Sequence, residues 1–345
     1  MRTFCDDRNK PVPMRILPQF VLLLFIAFGC SREKPAEQVG SQLAGEGTKT
    51  EQSGTKSMTP KAVPSFSGTR AYEYLLQQTS LGPRNPNSKG HSECLALLSG
   101  ELRRLADTVE LQPFTHRGYD GENLRLTNII ASFRPGAESR ILLCAHWDTR
   151  PRAEYDEDRS KRSKPILGAN DGASGTAILL EIASLLHTEQ APIGVDLVLF
   201  DGEDYGLEGD TQNYLLGSRY FAAHKSPTYQ PRFGILLDMV GDTYLEIPKE
   251  GHSVRYAPDI LDLVWDKARQ LGYPQFLDGV GEEVIDDHLP LNEAGIKTID
   301  IIDFDYPDQS NRYWHTHQDI PEHCSPESLE AVGDVVTHLV YTQLP

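Results

Sequence analysis

The stretch Arg140-Ile141-Leu142-Leu143-Cys144-Ala145-His146-Trp147-Asp148 decides the fold of this chain. Its apolar part is typical of a strand that is buried on both faces of a sheet. The run ends abruptly in a His-x-Asp pair. The stretch from Val195 to Asp204 repeats this pattern, because an apolar strand ends in Asp-Gly-Glu-Asp. Both stretches predict parallel strands with polar side chains at their carboxyl ends, where α/β sheets bind ligands.

Helix and strand signals alternate on both sides of these stretches. The predicted strands are Val109–Thr115, Thr127–Phe133, Arg140–Ala145, Val195–Phe200, Phe233–Val240 and Thr298–Ile302. The predicted helices are Ala71–Gln78, Gly90–Leu105, Ser174–His187, Pro258–Leu271 and Pro326–Tyr341. Apolar strands separated by helices indicate an α/β fold with a mostly parallel sheet covered on both faces.

Composition bounds the class of protein. The 345 residues are long enough for one large domain or two smaller ones, and 39% of them are hydrophobic, so a substantial core is expected. The formal net charge is −17. Phosphate contacts need clustered Lys and Arg, so the sequence predicts no nucleic-acid partner.

The N-terminus has the pattern of an export signal. Four basic residues precede a mostly apolar run, Ile16 to Gly29, which is short for a membrane span. The run ends at Gly29-Cys30, which resembles a bacterial lipoprotein cleavage site. Residues 1–29 are therefore predicted to be a signal peptide and Cys30 a lipidated membrane anchor on the periplasmic or cell-surface face. The alternative is an ordinary secretory signal.

Residues 30–65 are predicted to form a disordered tether, because they contain almost no large apolar residues. The catalytic domain is expected at residues 66–345. Cys94, Cys144 and Cys324 remain after export, with no metal-type spacing. The sequence therefore indicates no disulfide framework.

Six polar clusters fall at predicted strand ends or in the turns beyond them. They are His146-Trp147-Asp148, Gly168-Ala169-Asn170-Asp171-Gly172, Asp201-Gly202-Glu203-Asp204, Asp238, Asp286-Asp287-His288 and Trp314-His315-Thr316. A single such cluster is more often structural than catalytic, but together they predict one shared site. Histidine and carboxylates without paired cysteines are a ligand set typical of catalytic zinc.

In this order the clusters resemble the zinc-dependent exopeptidase superfamily, which contains the co-catalytic aminopeptidases and the glutaminyl cyclases. The resemblance runs from about Phe66 to Pro345. It implies a three-layer α/β/α zinc-exopeptidase fold with a mixed, mostly parallel central sheet. It also implies zinc ligands at Asp171, Asp204 and His315, and a general acid/base at Glu203.

A second zinc in the aminopeptidases uses residues that match His146, Asp171 and Asp238. Glutaminyl cyclases keep equivalents of these residues and bind one zinc, so these residues leave the number of ions, one or two, open. Two features favour the cyclases. Asp286 stands where aminopeptidases usually have Ser, and Trp314 matches the Trp of the cyclase substrate pocket.

The resemblance to bacterial glutaminyl cyclases implies further roles in this site. Asp238 and Asp286 are expected to act in catalysis with Glu203. Trp314, Asp287 and Tyr306 are expected to bind substrate.

The chain departs from the animal cyclases at three positions. Asp204 replaces a Glu ligand, and Asp300 replaces a His of the late strand. Gly209 falls where the animal enzymes have a pocket Trp, and Tyr205, Leu207 and Tyr214 are the candidates to replace that wall.

The implied activity is that of a glutaminyl-peptide cyclotransferase, which turns the N-terminal Gln of peptides and proteins into pyroglutamate and releases ammonia, with one zinc. The alternative is a di-zinc aminopeptidase. A non-enzymatic binding protein on a decayed site is disfavoured, because the proposed ligands and Glu203 are all present.

Overall fold

The computed structural model describes residues 62–343. In this part of the chain the strands are β1 Thr108–Arg117, β2 Asn123–Phe133, β3 Arg140–His146, β4 Gly194–Phe200, β5 Gly234–Asp238, β6 Ile247–Lys249, β7 Phe276–Val280 and β8 Thr298–Ile302. The helices are α1 Gly68–Thr79, α2 Lys89–Leu105, α3 Ala173–Thr188, α4 Leu216–His224, α5 Gly251–Tyr256, α6 Pro258–Leu271, α7 His288–Glu293 and α8 Pro326–Thr342.

Six strands form the central sheet in the order β1-β2-β4-β3-β5-β8. Strands β4, β3, β5 and β8 are mutually parallel, whereas β1, β2 and β4 pair antiparallel. The sheet is therefore mixed and mostly parallel, as predicted. The parallel pairing places the carboxyl ends of β3, β4 and β5 along one edge, and that edge carries the site.

Side chains on β3 alternate between two cores. Ile141, Leu143 and Ala145 belong to the larger core, which helices α1, α2, α3, α6 and α8 cover. Leu142 and Cys144 face the smaller core on the opposite side, which contains residues of α4 and α7. Because successive strand residues point to opposite faces, an unbroken apolar strand needs a helical layer on each side. The predicted three-layer α/β/α architecture is confirmed.

The predicted helices and strands all form, with ends shifted by up to about four residues. The sequence missed the short elements α4, β6, α5, β7 and α7. Three of these are helices of nine residues or fewer. Four of the five residues of β7 are exposed, and its sequence therefore lacks the apolar pattern that identifies a strand.

Helix α3 lies unusually close to strand β5. A Cβ atom on Gly175 would lie 2.1 Å from the carbonyl oxygen of Leu237. Glycine at this position allows the helix to approach the strand backbone directly. The close approach fixes the start of α3, and with it Asp171, against the end of β5.

The predicted signal peptide, the lipidated Cys30 and almost all of the predicted tether lie outside the described residues. Among residues 62–343, no helix is long and apolar enough to cross a membrane. Cys94, Cys144 and Cys324 are buried and free.

Candidate metal centre and substrate cleft

Three segments bring Asp171, Asp204 and His315 together. Asp171 lies in the turn before α3, Asp204 lies four residues beyond the end of β4, and His315 lies in the loop before α8. The Nε2 atom of His315 is 3.4 Å from Oδ1 of Asp204 and 3.6 Å from Oδ2 of Asp171. All three residues are buried, and their ligand atoms lie within 4.8 Å of one another.

These spacings fit a shared metal ion better than hydrogen bonds. An N–H···O bond is usually about 2.9–3.0 Å long. Ligands that each lie about 2.0–2.2 Å from a tetrahedral zinc are separated by roughly 3.4 Å. Two buried carboxylates facing each other also need a cation. The residues present therefore fit a zinc ion.

A second group of possible ligands shares Asp171. The Nε2 atom of His146 lies 3.2 Å from Oδ1 of Asp171 and 3.1 Å from Oδ1 of Asp238. The contact between His146 and Asp238 has hydrogen-bond geometry. The structure therefore brings together all five side chains that the sequence proposed for one or two metal ions.

The backbone at the cleft adopts rarely populated conformations. His315 has φ 52° and Met239, directly after Asp238, has φ 49°. Non-glycine residues in the left-handed region are uncommon and cost energy, and they concentrate at functional sites. Sequence patterns do not predict these φ values.

Two buried aspartates hold the turns that carry the acidic ligands. Asp148 accepts hydrogen bonds from the backbone N–H groups of Glu203 and Asp204, at 3.0 and 3.3 Å. Asp319 accepts from the N–H groups of Asn170 and Asp171, at 2.7 and 3.2 Å. Asp148 thus orients the turn that carries Glu203 and Asp204. Asp319 was missed, because nothing in its local sequence distinguishes it from a loop residue.

Arg150 is a second residue that sequence analysis missed. Its guanidinium is buried and donates to Oδ1 of Asp204, to the Glu154 carboxylate and to the hydroxyl of Tyr214. Burial by itself would raise the pKa of Asp204, but Arg150 and His315 outweigh it and hold that pKa well below its usual value. Asp204 is therefore kept ionised, as a metal ligand must be.

Glu203 points into the cleft beside these ligands. Gly202, with φ 75°, makes the turn from β4 that separates the directions of Asp201 and Glu203. Burial, and then the neighbouring Asp204 carboxylate, raises the pKa of Glu203 well above its usual value. A carboxyl group that exchanges a proton at accessible pH is suited to general acid–base chemistry.

Glu203 lies on the wall of a cavity of about 400 Å³. The other sequence-predicted residues on this wall are Asp171, Asp204, Asp238, Asp286, Trp314 and His315. The ring of Trp314 stacks on His315 with centroids 3.8 Å apart. Tyr155 and Phe304 also contact Trp314, at centroid distances of 5.2 and 5.1 Å.

Two residues predicted to bind substrate do not line this cavity. Tyr306 is fully buried, and its hydroxyl donates to Asp319 at 3.2 Å, which places it behind the Asp171 turn. Asp287 is fully buried next to Asp286. Neither residue is therefore part of the cavity wall.

The wall that the animal enzymes build with a Trp is built differently here. Of the three candidates, Tyr214 lines the cavity, while Tyr205 is buried against Leu124 and Leu126. Leu207 is exposed and is not part of the lining. Tyr155 also lines the cavity, from a charged loop that gave no sequence signal.

Comparison with known proteins agrees with this geometry. The model of Peptidase family M28 matches residues 128–340. The crystal structure of glutaminyl cyclase from Bacteroides thetaiotaomicron, bound to N-acetylhistamine, is 42% identical, with a TM-score of 0.78. That match covers 82% of this chain and 100% of the solved chain.

Curated relatives lie in both branches of the superfamily. Aminopeptidase YwaD of Bacillus subtilis (strain 168) is 27% identical over 292 residues, which are 79% of this chain but only 57% of that protein's length. The glutaminyl-peptide cyclotransferase-like protein of Bos taurus is 26% identical over 295 residues, covering 76% of this chain and 74% of its own. The match to the solved bacterial cyclase extends over all of that chain.

Proposed function

The chain belongs to peptidase family M28, as a zinc-dependent enzyme of the glutaminyl cyclase type, and on that premise we propose that it converts N-terminal Gln of peptides and proteins to pyroglutamate with release of ammonia. The observation that carries the proposal is the wall of the cleft. Trp314 stacks on the proposed ligand His315, and the carboxyl group of Asp286 faces the same cavity as Glu203.

Different residues of the cleft have different roles in the proposed reaction. Asp171, Asp204 and His315 would hold a zinc ion, which would supply a Lewis acid for the side-chain carbonyl of the substrate Gln. The substrate's α-amine attacks the carbonyl carbon, and Glu203 accepts a proton from that amine. Glu203 then gives the proton to the side-chain amide nitrogen, whose bond to carbon breaks, so that ammonia leaves. Asp238 and Asp286 hold the amine. Because the nucleophile is part of the substrate, the reaction needs no activated water, and little entropy is lost.

We propose one zinc ion per chain. Around His315 the nitrogen–oxygen distances of 3.4 and 3.6 Å suit ligands of one tetrahedral ion. Around His146 they are 3.1 and 3.2 Å, and the contact with Asp238 has hydrogen-bond geometry. This contrast supports a metal at His315 and a hydrogen-bonded histidine at His146.

Metal analysis of two variants tests the number of ions. The wild type should bind about one zinc per chain, His315→Ala should lose most of it, and His146→Ala should keep it. Three-ligand sites have no ligand to spare, which is why His315 is needed. Two ions in the wild type, one of them lost from His146→Ala, would contradict the proposal and support the second metal group.

The activity is tested with one peptide that begins with Gln. The expected products are pyroglutamyl peptide and ammonia in equal amounts. The rival is a di-zinc aminopeptidase, which the His146–Asp171–Asp238 group favours and which would release free amino acids. Free N-terminal amino acids without pyroglutamate would overturn the cyclase assignment.

We also propose that the protein is exported and anchored to a membrane by lipid on Cys30. The support is the apolar run that ends at Gly29-Cys30 and the polar segment that follows it. Cys30→Ser should move the protein from the membrane fraction to the soluble fraction, and mass spectrometry of the wild type should find acyl chains on Cys30. An unmodified N-terminus at another position would contradict this.

A further inference from the structure

Tyr155 is an exposed aromatic residue at the mouth of the cleft. It is 41% exposed, yet it lines the same cavity as Glu203, Asp286 and Trp314. Exposed aromatic side chains fixed beside a binding cleft often contribute to ligand contact, because they offer a large apolar face at low entropic cost. Nothing in the mechanism above uses this residue.

The side chains of the residues before and after Tyr155 are hydrogen-bonded to groups that contact or carry proposed zinc ligands. Before it, the Glu154 carboxylate accepts from Arg150, which also donates to Asp204. After it, Asp156 accepts from the backbone N–H and the ring Nδ1 of His317, at 3.1 and 2.8 Å. His317 is two residues beyond His315. Tyr155 is thus held in place although its ring is open to solvent.

The ring of Tyr155 extends an aromatic surface outward from the metal centre. Its plane lies within 21° of the plane of Trp314 and within 10° of the plane of His315, with centroids 5.2 and 6.0 Å away. Trp314 is the residue nearer the proposed metal, since its centroid is 3.8 Å from that of His315. The aromatic surface therefore runs from His315 through Trp314 to Tyr155, at the exposed end of the cleft.

We propose that Tyr155 is a specificity residue that contacts the side chain following the N-terminal Gln, and that it selects peptides with an aromatic or large apolar residue at that second position. The inference rests on the proposed cyclase function and adds the substrate class. Tyr155 touches substrate but takes no part in proton transfer. Its contribution is to binding, so its loss raises KM for favoured substrates and changes kcat little.

The test compares cyclisation of Gln-Phe and Gln-Gly dipeptide amides by the wild type, Tyr155→Ala and Tyr155→Phe. Aromatic pairs are worth about 0.5–1.5 kcal/mol beyond area burial. Tyr155→Ala should therefore lower the preference for Gln-Phe over Gln-Gly by roughly 2- to 12-fold. Tyr155→Phe keeps the ring and should keep the preference. Tyr256→Ala, an equally exposed tyrosine on α5, is the matched control and should not change it.

The outcomes separate this inference from the proposed function. Equal losses on both dipeptides in Tyr155→Ala, with zinc content unchanged, would overturn the specificity role while leaving the cyclase function intact. An unchanged preference would also overturn it. A wild type that cyclises neither dipeptide would overturn the proposed function, and this inference with it.

Discussion

At the scale of single residues, two neighbouring carboxyl groups of the cleft have different environments, which shift their pKa values in opposite directions. Asp204 is paired with Arg150 and faces His315, so its pKa is held low despite burial. Glu203 is one position earlier, and burial and then the Asp204 carboxylate raise its pKa. Two adjacent acids with pKa values pushed in opposite directions are suited to different roles, one as a metal ligand and one as a proton carrier.

Glu203→Gln should keep the metal and lose turnover. Glutamine preserves the shape of the side chain but cannot accept a proton, and general acid–base groups typically contribute about 10²–10⁴-fold. The measurements are zinc content and the rate of pyroglutamate formation. Near-normal turnover in a zinc-loaded Glu203→Gln protein would show that another group carries the proton.

Asp286→Asn should also slow cyclisation. Asp286 lines the cavity, and in the proposed mechanism its carboxyl group accepts a hydrogen bond from the substrate's amine. A hydrogen bond to a charged group is worth about 1.5–3 kcal/mol, which corresponds to roughly 10- to 100-fold in kcat/KM. Asp266→Asn, on the exposed face of α6, is the control. Equal rates of cyclisation in Asp286→Asn and the control would show that Asp286 takes no part in the mechanism.

At the scale of elements, the approach of α3 to β5 fixes the position of the Asp171 turn. Gly175 has no space for a side chain, because the Leu237 carbonyl oxygen occupies it. Gly100, in α2, has nothing within 4 Å of the corresponding Cβ position. Alanine substitutions at the two helical glycines therefore allow the effect of packing on stability to be distinguished from the effect of helix propensity.

Gly175→Ala should destabilise the fold and Gly100→Ala should stabilise it. The added methyl at Gly175 forces helix and strand apart, at a cost of about 1–3 kcal/mol. At Gly100 the change removes backbone freedom from the unfolded chain and gains about 0.5–1 kcal/mol. Urea unfolding of both variants measures the free energies. A gain of stability in Gly175→Ala would mean that α3 does not contact β5 as described.

At the scale of the whole molecule, the proposed metal joins three distant parts of the chain. Asp171, Asp204 and His315 come from the turn before α3, the segment after β4 and the loop before α8. In the unfolded chain these residues are far apart, so the ion binds the folded state alone. Ligand binding of this kind stabilises the fold in proportion to the logarithm of ligand concentration over Kd.

Removal of zinc by a chelator should therefore lower the melting temperature. A metal present at about 100 times its Kd contributes about 2.7 kcal/mol, and each kcal/mol shifts Tm by roughly 2–4 °C for a domain of this size class. We expect a fall of about 5–10 °C in the wild type, reversed by added zinc. His315→Ala should not respond to the chelator, and a wild type that also fails to respond would contradict the three-ligand site.

The sequence by itself determined the layers of the fold and predicted at which edge of the sheet the site lies. An apolar strand such as Ile141–Ala145 must be covered on both faces, and polar residues after parallel strands must meet at one edge, so pattern alone predicts both. Composition also predicted that nucleic acid is not a partner. These features depend on local order in the chain, which a sequence displays directly.

The tertiary structure alone decided which other residues support and line the site. Arg150, Tyr155 and Asp319 lie in loops whose sequence carries no periodic signal, and Tyr306 proved to support Asp319 instead of facing the cleft. Their positions follow from hydrogen bonds between residues that are up to 161 positions apart in the chain. Contacts at that separation depend on how the whole chain packs, so no local pattern of residue types records them.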